Sequence, residues 1–154
     1  MWKPTDAPVN SPVFSHEIRV TWGDCDPAQI AYTGRIPYWA LESIDAWWEH
    51  SAGLDWYALN VDRAIGTPFV HMTLDFSAPI TPRHTLRCQV ALLKLGVRSI
   101  RHSVTGFQDA TQCFKGEFVS VFVDTKTFTS RRPPDDLVKI FRALQSAPIA
   151  EGKA

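Results

Sequence analysis

The sequence has few of the residues that mark several common classes of protein. It contains three cysteines in 154 residues, at positions 25, 88 and 113, and no Cys-x-x-Cys pair. This pattern argues against a disulfide framework and a zinc site, and it favours a reducing, cytoplasmic location. No apolar run approaches the roughly 20 residues of a transmembrane helix. The first ten residues also lack the apolar segment of a secretory signal, so we expect no membrane association.

The sequence also has no net charge and lacks the common spacings of metal-binding residues. Sixteen basic and 16 acidic residues give a formal net charge of zero, which does not favour nucleic acid as a partner. The five histidines show no His-x-x-x-His or His-Glu-x-x-His spacing, and there is no phosphate-binding glycine loop or Gly-x-Ser-x-Gly motif. We therefore expect no metal and no cofactor, and any anion binding must come from a local cluster.

Hydrophobic periodicity predicts one domain at residues 13–128. Residues 13–22 alternate, with Ile18, Val20 and Trp22 on one face, which indicates a half-buried strand. A long helix is predicted over residues 35–51, with Thr33 as its cap, and a short one near 56–60. Four strands then follow, at about 70–76, 84–95, 97–107 and 112–124. This order predicts an α+β fold in which an antiparallel sheet wraps around one long central helix.

The two ends of the chain differ from this domain. Residues 1–12 contain three prolines and little periodicity, which predicts a flexible arm. Residues 129–154 begin with a polar stretch and continue into an amphipathic segment around 137–144. We interpret this region as a C-terminal helix and tail, with the helix lying on the surface or on a neighbouring subunit.

The segment WGDCDPAQIAY, residues 22–32, holds the strongest functional signal. Asp26 lies between a predicted strand and the start of the long helix, whose first backbone N–H groups lack partners within the helix. A carboxylate there can stay ionised, and a carbonyl bound to the same N–H groups is polarised. Asp-Pro before a helix is also an ordinary turn, because the carboxylate bonds nearby N–H groups. Both interpretations of Asp26 stay open on spacing alone.

This segment resembles the active-site signature of hotdog-fold acyl-CoA thioesterases of the 4-hydroxybenzoyl-CoA type. The family motif reads roughly Gly-Asp-x-Asp-Pro-Ala-Gly-Ile-Val-aromatic, and the match fails chiefly at Gln29, where the family usually has glycine. The resemblance implies a hotdog fold with Asp26 as nucleophile or general base. It also implies that a backbone N–H near Thr33 binds the carbonyl oxygen, although the family carries an aromatic residue at that position.

Two neighbours of Asp26 suggest other chemistries. Asp24 and Asp26 could act as paired carboxylates, as in glycosidases, but in a tight loop we favour a structural role for Asp24. Cys25 could act as a nucleophile beside a distant histidine. A thiolate between two acidic residues is disfavoured by like charge, so this role is the weaker one.

Further residues are candidates for substrate binding. By the resemblance, the Gly-Thr-Pro stretch at 66–68 lines the acyl pocket across a dimer interface, which makes Thr67 a candidate, although a plain turn is equally compatible. Lys94, Arg98 and Arg101 surround a predicted hairpin at Gly96 and could hold coenzyme A phosphates, or they could be ordinary solvated charges. Tyr32, with Trp47 and Phe69, could line a flat acyl pocket, although a core position is favoured for each.

We therefore predict a thioesterase that hydrolyses an acyl-CoA, with an aromatic, 4-hydroxybenzoyl-like acyl group and a dimer or dimer of dimers as its assembly. The alternatives are a thioesterase for short aliphatic acyl-CoA or for acyl carrier protein, and a non-catalytic acyl-CoA binding module. Gln29 leaves room for the last of these, since a longer side chain than glycine can crowd a pocket.

Overall fold

The computed structural model describes residues 12–146, so most of the predicted arm and the tail after residue 146 lie outside it. The described chain runs from one strand through two helices to six strands and a final helix. The bounds are β1 (Phe14–Ile18), α1 (Arg35–Ala52), α2 (Trp56–Val61), β2 (Ile65–Gly66), β3 (Phe69–Phe76), β4 (Leu86–Leu95), β5 (Ser99–Gln108), β6 (Thr111–Val121), β7 (Val123–Asp124) and α3 (Asp135–Ser146). This order confirms the α+β prediction.

Five strands form one antiparallel sheet in the order β1-β4-β5-β6-β3, and the short strands β2 and β7 pair separately. Helix α1 lies against β1, β4 and β5. Its buried side consists largely of aromatic and aliphatic residues that are at most 3 % exposed, namely Trp39, Ala40, Ile44, Trp47 and Trp48. An antiparallel sheet around one long helix is the hotdog architecture that the sequence predicted.

The long helix ends as predicted, at Gly53. This residue has a φ of 67°, and its N–H donates to the carbonyl of Glu49. A left-handed glycine that bonds back to the last turn is a common helix terminator. No helix in residues 12–146 is long and apolar enough to cross a membrane.

The C-terminal helix α3 packs its apolar face into the core and leaves its other face exposed. Leu137 and Phe141 are fully buried. The Phe141 ring stacks on Trp47 at a centroid distance of 5.4 Å and meets the edge of Trp48 at 5.0 Å. The helix thus lies on the surface of its own domain, one of the two predicted positions, and its apolar face is covered by β4 and α1 of the same chain.

The first strand is shorter than predicted. It ends at Ile18, and residues 22–24 form a 3-10 turn instead of continuing the strand. Trp22 therefore leaves the face that it was predicted to share with Ile18 and Val20, and it is 72 % exposed while both of those are buried.

Strand β3 forms one edge of the five-stranded sheet, since it pairs with β6 alone within the described residues. Val70, Met72 and Phe76 on this strand are 61 %, 40 % and 52 % exposed. An edge strand offers unpaired backbone N–H and C=O groups to another chain. An edge that also exposes apolar side chains is suited to pairing with a second subunit.

A buried histidine interrupts the apolar core. His102 on β5 is fully buried, its ring lies 4.4 Å from that of Trp47, and neither ring nitrogen has a hydrogen-bond partner in residues 12–146. Burial lowers the pKa of His102 from 6.5 to about 3. The unfolded chain consequently binds a proton at a higher pH than the folded protein does, so this histidine opposes folding as the pH falls below 6.5.

We predict that this effect is visible in acid. The free energy of unfolding of the wild type should fall with a slope approaching about 1.4 kcal/mol per pH unit below pH 6.5 from His102 alone. His102→Leu removes the titrating group and should flatten that slope. Urea unfolding between pH 7 and pH 4.5 measures it, with His50→Leu, a change at an exposed histidine, as the control. Equal slopes for His102→Leu and the wild type would contradict the prediction.

Candidate active site

Asp24 anchors the loop between β1 and α1. The side chain is 5 % exposed. Its Oδ2 accepts hydrogen bonds from the Thr21 N–H at 2.8 Å and the Thr21 hydroxyl at 3.0 Å. Its Oδ1 accepts from the Arg35 guanidinium, with Nε at 2.9 Å. Burial by itself raises the pKa of Asp24, but the bonds from Thr21 and Arg35 outweigh it and bring the pKa below its usual value. Asp24 is therefore an ionised structural residue, as we favoured.

The loop folds back on itself between Asp24 and Tyr32. Cys25 and Ala31 form an antiparallel bridge, and the Tyr32 N–H donates to the Asp24 carbonyl at 2.8 Å. The Ala31 N–H donates to the carbonyl of Ile80 at 2.8 Å, which ties the loop to the segment between β3 and β4. Both arms of the loop are thus held by backbone hydrogen bonds, and Asp26 lies at the turn between them.

Asp26 uses half of its carboxylate for the turn. Its Oδ1 accepts from the Ala28 N–H at 2.9 Å, which is the local bond expected of an Asp-Pro turn. No other hydrogen bond reaches this side chain from the described residues, and it is partly exposed. The structural and catalytic interpretations are therefore compatible, because one oxygen fixes the side chain while the other accepts no hydrogen bond from residues 12–146. Asp24 and Asp26 bond different partners and do not form a carboxylate pair.

Helix α1 begins beside this turn without a side-chain cap. Gly34, not Thr33, is the capping residue, so the predicted Thr33 cap was wrong. Within residues 12–146, the N–H groups of Thr33 and Gly34 donate to no protein oxygen. The exposed ring of Tyr32 lies over Gly34, where an added Cβ would be 2.6 Å from a ring carbon. The helix start thus presents free N–H groups, and any larger residue at position 34 would have to displace the tyrosine ring.

A cavity of about 450 Å³ adjoins this helix terminus. Thr33 lines it, together with Ile30 and Ile36 on one side and the segment 76–80 on the other. Its wall is mostly apolar. An acyl group in this cavity would bring its carbonyl to the helix terminus, where free N–H groups and the helix dipole favour developing negative charge.

Thr67 lines a different cavity of about 480 Å³, together with Trp56, Phe69 and Phe128. Strand β3 separates the two cavities, because one adjoins Phe69 and the other Phe76. The seven steps from Phe69 to Phe76, at about 3.3 Å each, place them roughly 23 Å apart in one subunit. Of the three aromatic candidates, Phe69 lines this cavity and Tyr32 is exposed, whereas Trp47 is 2 % exposed and belongs to the core.

The predicted basic hairpin is present between β4 and β5, and Lys94 and Arg101 are register partners across it. Arg98 donates to the Ser130 hydroxyl at 2.9 Å, and Arg101 lies 3.9 Å from the Glu117 carboxylate. The pairing of Ile18 with Leu86 shows that the loop holding Asp26 emerges at the opposite end of the sheet. The structure therefore does not bring these cations to Asp26 within one subunit.

Sequence reasoning missed two contributors to the site. Arg35 fixes Asp24, but nothing in an eleven-residue spacing indicates that ion pair. The segment 76–80 forms one wall of the helix-terminal cavity. Pro79 and Pro82 signalled the end of a strand, not the position of this segment. Among the described residues, no cluster of histidine, cysteine, aspartate or glutamate could hold a metal ion.

Comparison with known proteins identifies the family. The family described as the thioesterase-like superfamily matches residues 20–147. The chain belongs to this superfamily. A search of curated proteins found no match.

Solved structures show the same fold. A thioesterase superfamily protein from Jannaschia sp. CCS1 is 45 % identical, covers 97 % of this chain and 99 % of its own, and has a TM-score of 0.80. A 1,4-dihydroxy-2-naphthoyl-CoA thioesterase from Synechocystis is 18 % identical, with coverage of 86 % and 97 % and a TM-score of 0.76. The 4-hydroxybenzoyl-CoA thioesterase from Pseudomonas sp. strain CBS-3 is 22 % identical, with coverage of 83 % and 98 % and a TM-score of 0.73.

Gln29, the departure from the family motif, has a backbone rather than a pocket role. Its φ is 65°, in the left-handed region where glycine is favoured. The side chain is exposed and lines neither of the two cavities described above. The crowding that would have supported a non-catalytic binding module is therefore not seen.

We predict that Gln29→Gly stabilises the protein. Glycine removes the strain of the left-handed backbone, but it also has greater freedom in the unfolded chain. The net gain in the free energy of unfolding is about 1 kcal/mol. For a protein of this size the melting temperature should rise by about 2–4 °C. Ala28→Gly is the matched control, because Ala28 has no positive φ, and it should lower the melting temperature. A decrease for Gln29→Gly in thermal unfolding would contradict this account.

Proposed function

We propose that this protein hydrolyses an acyl-CoA thioester to a free acid and coenzyme A. The observation that carries the proposal is that the Asp26 turn is tied by the Cys25–Ala31 bridge and the Tyr32–Asp24 backbone bond to the start of α1, where Thr33 has a free N–H and lines a largely apolar cavity. A carboxylate and an oxyanion-binding helix terminus are the two groups that thioester hydrolysis needs. Membership of the thioesterase-like superfamily supports the same reaction class.

The chemistry divides between these two groups. The carbonyl oxygen of the thioester accepts hydrogen bonds from the Thr33 and Gly34 N–H groups, which stabilise the negative charge that develops on it. Asp26 either attacks the carbonyl carbon itself or accepts a proton from the water that attacks. In the first route the coenzyme A thiolate leaves and water then hydrolyses the mixed anhydride. In the second route the tetrahedral intermediate expels the thiolate directly.

We propose that the acyl group is aromatic. The solved thioesterases for 1,4-dihydroxy-2-naphthoyl-CoA and 4-hydroxybenzoyl-CoA share the fold and, by their names, act on aromatic thioesters. A gentisyl-coenzyme A thioesterase, 20 % identical, has the same property. The apolar walls of both cavities in this chain suit such a ring.

Three free cysteines agree with the predicted reducing, cytoplasmic location.

We propose a dimer in which the exposed edges of two β3 strands pair antiparallel across a twofold axis. Such pairing places the Phe69 end of one subunit beside the Phe76 end of the other. The Thr67 cavity of one subunit then meets the Asp26 loop of its partner, which reconciles their separation within one chain. In this dimer the hairpin of Lys94, Arg98 and Arg101 of one subunit also comes closer to the Asp26 loop of its partner. Its predicted role in binding phosphates therefore depends on this dimer. A dimer of dimers stays a prediction.

Replacing Asp26 tests the proposed reaction. Asp26→Asn keeps the acceptor for the Ala28 N–H but loses the basic carboxylate, so turnover should fall at least about 100-fold. Thiol release from a panel of aromatic and aliphatic acyl-CoAs measures it and ranks the acyl groups. Asp62→Asn, a change at an exposed aspartate after α2, should leave turnover unchanged. Thiol release that is absent from every substrate, or equal in both proteins, would overturn the proposal.

Mixing two inactive variants tests the shared site. Thr125 lies on the exposed rim of the Thr67 cavity, so Thr125→Trp should block that cavity while leaving Asp26 intact. Unfolding and refolding a mixture of Thr125→Trp and Asp26→Asn subunits should restore activity toward about one quarter of wild type. This value follows because about half of the randomly formed dimers are mixed and each contains one complete site. Failure to regain activity, with mixed dimers present, would contradict a site built from two subunits.

A further inference from the structure

We infer that a groove formed by residues 19–22 and 82–85 binds the phosphorylated adenosine end of a coenzyme A thioester. The inference rests on the proposed acyl-CoA ligand, and it adds a binding site on the same subunit as Asp26. We call this site the Arg19–Arg83 groove, and it has a volume of about 460 Å³.

The strand register creates the groove. Ile18, the last residue of β1, pairs with Leu86, the first residue of β4. The segment that leaves β1 and the segment that enters β4 therefore lie side by side beyond the end of the sheet. Both segments are irregular, because one leads into the 3-10 turn and the other follows Pro82. Residues of both segments line the surface depression between them.

The groove carries two arginines that are not paired with a carboxylate in the described part of the chain. Arg19 and Arg83 are both exposed, and neither forms an ion pair within residues 12–146. An arginine that stabilises the fold is instead paired with a carboxylate, as Arg35 is with Asp24. One carboxylate lies near the groove, because Asp109 is 2.9 Å from Nδ1 of His84, which lines the groove. Two unpaired guanidinium groups facing one depression are suited to phosphate oxygens.

An exposed aromatic ring completes the groove. Trp22 lies on its wall and is 72 % exposed. The 3-10 turn holds it there, since the Asp24 N–H donates to Thr21 and the Cys25 N–H donates to Trp22. An indole face with adjacent guanidinium groups offers stacking to a flat base and hydrogen bonds to its phosphates. Adenine with a ribose phosphate is the part of coenzyme A that presents both features.

The groove is within reach of the reacting centre by two routes. Thr21 and Asp26 are five residues apart, so their Cα atoms are at most about 18 Å apart even in an extended chain. Pro82 is two residues from Ile80, which lines the helix-terminal cavity. The pantetheine arm of coenzyme A has a comparable length, so it can join a thioester at Thr33 to an adenosine in the groove.

The basic hairpin is the competing site for the same phosphates. Arg98 already bonds Ser130, Arg101 lies near Glu117, and the hairpin projects from the other end of the subunit. It reaches the site only through a second subunit. The groove needs no dimer to approach Asp26, and its arginines have no ion-pair partner to lose within residues 12–146.

Kinetics with whole and truncated substrates separate the two sites. For Arg19→Gln/Arg83→Gln, we expect KM for the acyl-CoA to rise about tenfold or more with kcat retained. KM for the corresponding acyl-pantetheine, which has no nucleotide, should not change. Trp22→Ala should raise KM for acyl-CoA, and Trp22→Phe should recover most of the loss. Arg142→Gln, on the exposed side of α3, is the control. An increase in KM for Arg98→Gln together with an unchanged KM for the groove variant would overturn the inference.

Binding of a nucleotide alone makes the result independent of turnover. Calorimetric titration with adenosine 3′,5′-bisphosphate should show binding to the wild type that weakens about tenfold in the double variant. Inorganic phosphate and AMP should bind more weakly than the bisphosphate. Nucleotide binding that the double variant leaves unchanged would overturn the groove. Groove-dependent binding in a protein that hydrolyses no thioester would instead support the groove and overturn the proposed hydrolysis.

Discussion

The contacts of one buried carboxylate determine how the candidate site is built. Asp24 bonds the start of the 3-10 turn through Thr21 and the first residue of α1 through Arg35. It thereby joins the strand that precedes the site to the helix that follows it. Asp26 and Thr33 lie between these two fixed points. Since the carboxylate is desolvated, losing either partner would leave buried charge or buried donors unsatisfied, which is costlier than losing an exposed ion pair.

The helix terminus adds a second requirement, which concerns space. The free N–H groups at Thr33 and Gly34 are accessible only because no side chain caps them. The usual capping residues would place an oxygen on these donors and compete with a substrate carbonyl. Gly34 lacks such a side chain and accommodates the ring of Tyr32. Leaving a helix uncapped lowers its stability, and burial of the aromatic side of α1 in the core offsets this cost.

Sequence reasoning recovered the element order, the long helix with its Gly53 terminus, and the loop of Asp26. These features depend on local spacing and on glycine and proline positions that the sequence displays directly. It failed where the outcome depends on distant partners. Trp22 continues an alternating pattern yet turns outward, because the chain leaves the strand and forms a 3-10 turn at residues 22–24. Phe141 lies on an amphipathic helix whose apolar face packs against Trp47, and spacing alone does not name that partner. Whether Asp26, Thr33 and Thr67 serve one reaction depends on the assembly, which a single sequence does not display.

The positive φ of Gln29 limits which sequences can form this loop. The turn requires a left-handed residue there, whatever chemistry the neighbouring carboxylate performs. Valine, isoleucine and threonine are the poorest choices, because a branched Cβ conflicts with that backbone conformation, whereas asparagine and glycine adopt it with least cost. Variation at this position among relatives should therefore follow backbone tolerance and say little about which thioester each one takes. Differences in acyl preference should instead be sought in the residues that line the two cavities.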